Sequence, residues 1–155
     1  MSNSLRQKLC NIQTQLKAPK GQTNAFGGYR YRSAEDILEA LKPLLREYGC
    51  SLIIQDEIVD ISNRVYVKAT ANIVDNDTDA VLNASAFARE AEVKKGMDDA
   101  QITGSASSYA RKYALNGLFC IDDTKDADAT NTHGKVAPRT AKAKTVTSND
   151  FNDIF

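Results

Sequence analysis

The chain has 155 residues, of which 42% are hydrophobic and 26% are charged, so it suits one globular domain with flanking segments rather than two domains. Its 20 basic and 20 acidic residues leave no formal net charge, which excludes nucleic-acid or membrane binding driven by the charge of the whole molecule. Its three cysteines lack CxxC spacing, and no apolar segment is long enough for an export signal or a membrane span. We therefore expect a cytoplasmic protein that binds its partners through local patches.

Two helices are predicted in the N-terminal third of the chain. Apolar residues spaced by three or four positions within residues 2–16 predict the first. Ser33 as the N-cap, with Asp36 three positions later, is a variant of the capping box and begins the second helix, which Gly49 ends. Pro43 lies inside the second pattern, so we expect a kink or a broken last turn there.

The segment between these helices is a Gly-rich loop with the sequence NAFGGYRYR. We expect one proline and three glycines to break any regular element: Pro19, Gly21, Gly27 and Gly28. Sites for single-stranded nucleic acid combine aromatic rings for base stacking with cations for the backbone. The alternating tyrosines and arginines of residues 29–32 therefore predict a binding element, and Phe26 could stack in the same way. The alternative is that Tyr31 packs on the second helix as a hydrophobic staple.

Three strand-like segments follow, at residues 50–61, 64–74 and 81–93, and predict an antiparallel meander. The second segment alternates strictly, with apolar side chains on one face and polar ones on the other. One face of the meander is therefore polar and partly basic.

The segment 101–119, QITGSASSYARKYALNGLF, predicts a helix that Asp98 and Gln101 cap and Gly117 ends. On a helical wheel, one side suits packing on the meander: Ile102, Ala106, Tyr109, Ala110, Tyr113, Ala114 and Gly117. The opposite side gathers small, polar and cationic residues, with Leu115 as the single large apolar one: Gln101, Gly104, Ser105, Ser108, Arg111, Lys112 and Asn116. Small residues beside two cations let a nucleic-acid backbone approach donors for its phosphates. A solvated surface, and tight helix packing at Gly104, are the alternatives.

Together these elements predict an α+β fold: a three-stranded antiparallel meander followed by a packed helix, preceded by N-terminal helices and followed by a disordered C-terminal tail. Residues 1–128 form the predicted core domain. The candidate DNA-binding residues are Tyr29, Arg30, Tyr31, Arg32, Arg64, Lys68, Arg89, Lys94, Lys95, Gln101, Ser105, Ser108, Arg111 and Lys112.

The enzymatic alternative is a metal-dependent nuclease. Glu92 and Lys94 form an acid-x-Lys arrangement, and Asp75, Asp77 and Asp79 are possible Mg²⁺ ligands. Aspartates are also common in turns, where they form local hydrogen bonds, and this favours a structural role. The sequence contains neither a P-loop nor GxGxxG, and its single histidine lies in the predicted tail. We therefore expect no catalytic residues, no metal and no cofactor.

Four motifs in order, NAFGGYRYRSAEDI, KPLL, GMDDAQITGSASSYARKYALNGLF and DDTKDAD, resemble the ERF (essential recombination function) family of phage single-strand annealing proteins. The resemblance runs from Leu5 to Asp128. It implies ATP-independent annealing of complementary DNA strands in phage recombination, in the cytoplasm of a bacterial host. It further implies homo-oligomeric rings or helical assemblies and a β-β-β-α core, which agrees with the meander and helix predicted from the residues.

The C-terminal segment has a different composition from the core. Residues 129–147 predict a flexible basic linker, and residues 148–155 an acidic-aromatic tip that resembles the tips of bacterial single-stranded DNA-binding proteins. The candidate partner-binding residues are Asp150, Phe151, Asp153, Ile154 and Phe155. A host or phage recombination or replication protein is the expected partner. A third interpretation is an adaptor that works only through this tip.

Overall fold

The computed structural model describes residues 3–122, which have the predicted α+β fold. Its elements in chain order are α1 Leu5–Gln15, β1 Gln22–Asn24, β2 Tyr29–Tyr31, α2 Ala34–Glu47, β3 Cys50–Ile61, β4 Arg64–Asp75, β5 Val81–Arg89 and α3 Asp99–Phe119. No helix within residues 3–122 is long and apolar enough to cross a membrane. The end of the predicted core, the linker 129–147 and the tip with Asp150, Phe151, Asp153, Ile154 and Phe155 lie outside the described residues.

The predicted meander is confirmed as an antiparallel sheet in the order β3-β4-β5. The apolar residues that alternate along β4 are buried beneath the helices: Val67, Ala69, Ala71 and Ile73. The other face of the sheet carries Tyr66, Lys68, Thr70 and Asn72, which are half-buried, and no helix among residues 3–122 covers it. We call it the open face.

Two helix starts follow the predicted capping chemistry. Ser33 Oγ accepts a hydrogen bond from the backbone N–H of Asp36 at 3.1 Å, and the Asp36 carboxylate accepts one from the N–H of Ser33 at 2.8 Å. Asp98 and Gln101 form the same reciprocal pair at the start of α3. These bonds satisfy backbone donors that have no partner inside the helix, which is why the two starts are readable from sequence.

Several predicted boundaries were wrong. Gly117 does not end α3, which continues to Phe119 because Leu118 and Phe119 are buried; Cys120, with a left-handed φ of 56°, ends it. The third strand ends at Arg89 rather than at residue 93. Beyond the bond from Glu90 N to Val65 O, Arg64 is the last residue of β4, so residues 92 and 93 have no β4 residue opposite them.

The Gly-rich loop differs from the prediction, and at Pro43 the predicted alternative of a broken last turn was wrong, while the alternative of a kink stays a prediction. Strands β1 and β2 pair antiparallel in that loop, so a short two-stranded ribbon replaces the predicted break in regular structure. Helix α2 continues through Pro43 to Glu47 and has no broken last turn. Leu41 and Leu45 are both buried, so the apolar stripe holds the residues on both sides of the proline in the core.

The second half of α3 is packed on two sides. Its alanines contact the sheet, while Leu115, Leu118 and Phe119 are buried in the same core as α1 and α2. Asn116 is buried as well, so its predicted place on an open polar face was wrong. In this half of α3, Arg111, Tyr113 and Gly117 remain exposed to solvent.

Candidate nucleic-acid interface

An open groove runs between the edge strand β5 and the first half of α3. Its volume is about 290 Å³, at the lower limit of small-molecule pockets, which are roughly 300–1,000 Å³. Polar and aromatic side chains line it, namely Arg89, Lys94, Ser105, Tyr109 and Tyr113, over a floor that includes Ala88, Ile102 and Ala106. The groove is therefore an open surface feature rather than an enclosed ligand pocket.

The two tyrosines of the groove were predicted to pack on the meander but are exposed, Tyr109 by 55% and Tyr113 by 46%. They lie on the side of α3 that faces the β5 edge of the sheet, where no further strand of the described residues covers them. The β5 residues nearest to α3 are alanines, which are too small to cover an aromatic ring. Exposed aromatic rings beside cations are the combination that single-stranded nucleic acids bind.

The cations of the groove come from the end of β5 and from the loop 90–98 that joins it to α3, which we call the exit loop. Arg89 and Lys94 are among the residues that line the groove, and Lys95 follows in the exposed loop. Because Arg89 pairs with Tyr66 of the open face, it lies at the sheet edge between the groove and that face. Within the described part of the chain, neither Arg89 nor Lys94 forms an ion pair. Both charges are therefore available to a phosphate group.

The outward face of α3 adjoins the groove. Gln101 caps the helix, and Ser108 Oγ donates to the Gly104 carbonyl at 3.1 Å. Apart from the backbone of its own helix and its chain neighbours, a Cβ placed on Gly104 would meet no atom of residues 3–122 within 4 Å, so packing among these residues does not account for the glycine. Lys112 lies half-buried further along the helix, one turn after Ser108.

Arg111 occupies the other flank of α3, above β3. Its Nη2 lies 2.8 Å from Asp56 Oδ2, its Nε lies 3.0 Å from both carboxylate oxygens, and Ser107 Oγ donates to Asp56 at 2.6 Å. Partial burial alone would raise the pKa of Asp56, but the hydrogen bonds from Arg111 and Ser107 lower it. The arginine therefore joins the helix to the sheet, and its predicted role in DNA binding stays a prediction.

The other two basic residues predicted on the sheet, Lys68 and Arg64, do not line this groove. Lys68 lies on the open face, 3.5 Å from Glu57, on the opposite side of the sheet from α3. Arg64 lines a neighbouring cleft with Arg89, Glu92 and Asp99. The predicted residues thus form a groove, a helix face and a separate sheet surface rather than one track.

The ribbon carries the predicted Tyr29, Arg30 and Tyr31, all exposed, and Arg32 follows it. The two tyrosine rings meet edge to face, with centroids 6.3 Å apart and an interplanar angle of 61°. Tyr31 is 36% exposed, and its alternative role as a hydrophobic staple against α2 stays a prediction.

Two of the three aspartates of the nuclease interpretation, Asp75 and Asp77, have a structural partner. Lys8 Nζ donates to Asp75 Oδ1 at 2.8 Å and to Asp77 Oδ2 at 3.2 Å, which joins α1 to the turn between β4 and β5. The hydrogen bond with Asp75 raises the pKa of Lys8, and the same bond lowers the pKa of Asp75. Within residues 3–122 there is no group of three or more His, Cys, Asp or Glu side chains placed to hold a metal ion.

Comparison with known proteins agrees with the motifs. The family model described as ERF superfamily matches residues 5–153. The Essential recombination function protein of Salmonella phage P22 is 61% identical over 128 residues, which are 83% of this chain and 60% of that protein. The chain therefore matches less than two thirds of the length of that relative, and no solved structure matches it. By the extent of the family match, this chain belongs to the ERF superfamily.

Proposed function

We propose that this protein binds single-stranded DNA and anneals complementary strands without ATP, in phage homologous recombination. The observation that carries the proposal is the groove between β5 and α3, where the exposed rings of Tyr109 and Tyr113 lie beside Arg89 and Lys94. Stacking of a base on an aromatic ring contributes roughly 1–3 kcal/mol and does not depend on sequence, while the cations bind the phosphates.

Annealing requires no covalent chemistry from the protein. Base pairing and stacking supply the free energy, about 1.4 kcal/mol per base-pair step. The protein has to hold one strand, keep its bases accessible and reduce its repulsion from a second strand. Arg89 and Lys94 would neutralise phosphates, and the openness of the groove would leave the base edges exposed to a complementary strand.

Gly104 supports the placement of a strand along α3. A glycine inside a helix costs about 1 kcal/mol relative to alanine, and no packing contact among the described residues requires one at this position. A missing side chain on the outward face allows a backbone to approach Gln101 and Ser108 closely.

The name of the phage P22 relative places that protein in recombination. By this relationship we propose the same process for this chain, in the cytoplasm of a bacterial host. We further propose that it acts as a homo-oligomer, a ring or a helical assembly, in which the grooves of successive subunits form a continuous track. The C-terminal tip would then recruit a recombination or replication protein, as its residues predict.

The direct test is fluorescence anisotropy of a labelled single strand titrated with the full-length protein. We expect similar affinity for mixed-sequence and homopolymer strands, a steep loss of affinity with salt, and weaker binding to a duplex, whose bases are not accessible for stacking. Absence of binding to single strands even at low salt would contradict the proposal.

A further inference from the structure

The ribbon formed by β1 and β2 holds its tip, residues 25–28, in one conformation. Asn24 Oδ1 accepts hydrogen bonds from the backbone N–H of Phe26 at 2.9 Å and of Gly27 at 3.1 Å. The N–H of Gly28, whose φ is +62°, donates to the Asn24 carbonyl at 2.9 Å. Hydrogen bonds to Asn24 therefore hold the backbone of the tip, and this backbone carries the side chain of Phe26.

Phe26 is fully exposed at this tip. Tyr29, by contrast, lies against Gly27, where an added Cβ would overlap its ring, and its hydroxyl accepts a hydrogen bond from Asn24 Nδ2 at 2.9 Å. One face of the Tyr29 ring is thus covered by the ribbon itself. Phe26 is the aromatic residue of the ribbon whose ring is exposed to solvent on both faces. It can therefore fit between two planar groups.

The charge of the segment around the ribbon indicates which class of partner binds there. The segment 17–32 carries four cations, Lys17, Lys20, Arg30 and Arg32, and no acidic residue. Such a segment favours a polyanion, and the flat apolar groups of a nucleic acid are its bases. Apolar side chains on other DNA-binding proteins enter between neighbouring bases and unstack them.

We propose that Phe26 inserts between adjacent bases of the bound strand as a wedge. The inference rests on the proposed binding of single-stranded DNA. It adds a specific contact: the ribbon tip interrupts base stacking at one step, while the groove on α3 binds bases elsewhere along the strand.

The sequence contains no tryptophan, so a Phe26→Trp variant carries a single indole at the tip. Saturating the full-length variant with oligo-dT should quench its emission and protect it from iodide, because the indole stacks between bases. The matched control is Ile53→Trp, at a half-exposed position on the open face, whose emission should stay constant. Anisotropy of the labelled strand, recorded in the same titration, reports binding independently.

Binding by anisotropy with unchanged emission from the Phe26→Trp variant would overturn the wedge and leave the proposed function intact. Absence of binding by any variant or by the wild type would overturn both. An emission shift that depends on protein concentration and not on DNA would place the tip against a second copy of the chain, which also overturns the wedge.

Substitution provides a second readout. Phe26→Ala should bind single strands roughly 5- to 100-fold more weakly, the loss expected for one stacked base, while Phe26→Leu, which keeps an apolar wedge, should recover part of it. Both variants should keep the wild-type melting temperature, because the side chain contacts no core residue. Equal affinity of Phe26→Ala and wild type would contradict the proposal.

Discussion

The guanidinium of Arg111 on α3 forms a bidentate pair with the carboxylate of Asp56 on β3, with a closest distance of 2.8 Å. This pair fixes the flank of α3 opposite the groove. An arginine held in this way contributes to the position of the helix before any DNA is present.

Substitutions in this pair distinguish two possible roles of Arg111, positioning α3 and binding phosphate. If it only positions α3, Arg111→Ala and Asp56→Ala should each destabilise the fold by about 0.2–1 kcal/mol, the range for partly exposed pairs, and change DNA affinity little. If Arg111 instead bound phosphate, Asp56→Ala would release it and tighten binding, while Arg111→Ala would weaken binding. We expect the first pattern, from thermal unfolding and anisotropy measured on the same preparations.

The two cations of the groove give a salt-dependence prediction. Arg89→Ala/Lys94→Ala should weaken single-strand binding and reduce the slope of log affinity against log salt by about 1.4, or about 0.7 for each phosphate that the variant no longer neutralises. The control with the same charge change is Arg6→Ala/Arg46→Ala, on the exposed surfaces of α1 and α2. An equal change of slope in both double variants would mean that the groove has no special part in binding.

Tyr109 tests stacking separately from charge. Tyr109→Ala should weaken binding roughly 5- to 100-fold, whereas Tyr109→Phe, which keeps the ring, should stay close to the wild type. The hydroxyl would be the important group if Tyr109→Phe bound as weakly as Tyr109→Ala. Circular dichroism would verify that α3 remains folded in both variants.

The buried pair of Lys8 and Asp75 gives a stability prediction that does not depend on DNA. The side chain of Lys8 is 7% exposed and that of Asp75 is 1% exposed. Lys8→Met would leave the Asp75 carboxylate buried without its cation, so the melting temperature should fall on the order of 10 °C. Lys8→Met/Asp75→Leu should recover much of this stability, because neither charge then remains buried.

The pH dependence of stability follows from the same pair. The folded state lowers the pKa of Asp75 below its ordinary value of 3.8, so this contribution is complete above that value and disappears as pH falls through the lower folded pKa. The folded state raises the pKa of Lys8 above 10.5, so its contribution is complete below that value and disappears only at higher pH. Melting temperatures from about pH 2 to 11 should show smaller decreases at both ends in the Lys8→Met/Asp75→Leu variant than in the wild type. The decrease that remains at low pH comes from Asp36 and Asp56, whose pKa the folded state also lowers.

The fold was predictable wherever its causes are local. The alternation along β4 and the caps at Ser33 and Asp98 involve residues within a few positions of each other, so their patterns can be read directly. Helix ends were less predictable, because burial of Phe119 outweighs the tendency of Gly117 to end a helix.

The candidate site was less predictable, because it depends on how distant elements pack. A helical wheel places Tyr109 on the side of the packed alanines, but its exposure depends on α3 lying beside the free edge of the sheet. The local sequence predicts Arg111 to be a DNA-binding cation, because its partner Asp56 is 55 positions away and no local pattern links the two. Local patterns contain no information on either arrangement, so the sequence predicted the residue types of the interface better than their partners.

The most direct test of strand annealing through the groove is the annealing rate of two complementary labelled oligonucleotides, measured without ATP by energy transfer. Wild-type protein and the Arg6→Ala/Arg46→Ala control should accelerate annealing, and Arg89→Ala/Lys94→Ala should lose most of the acceleration while remaining folded. No acceleration by the wild type would contradict the proposed function. Full acceleration by the groove variant would contradict the assignment of DNA binding to the groove between β5 and α3.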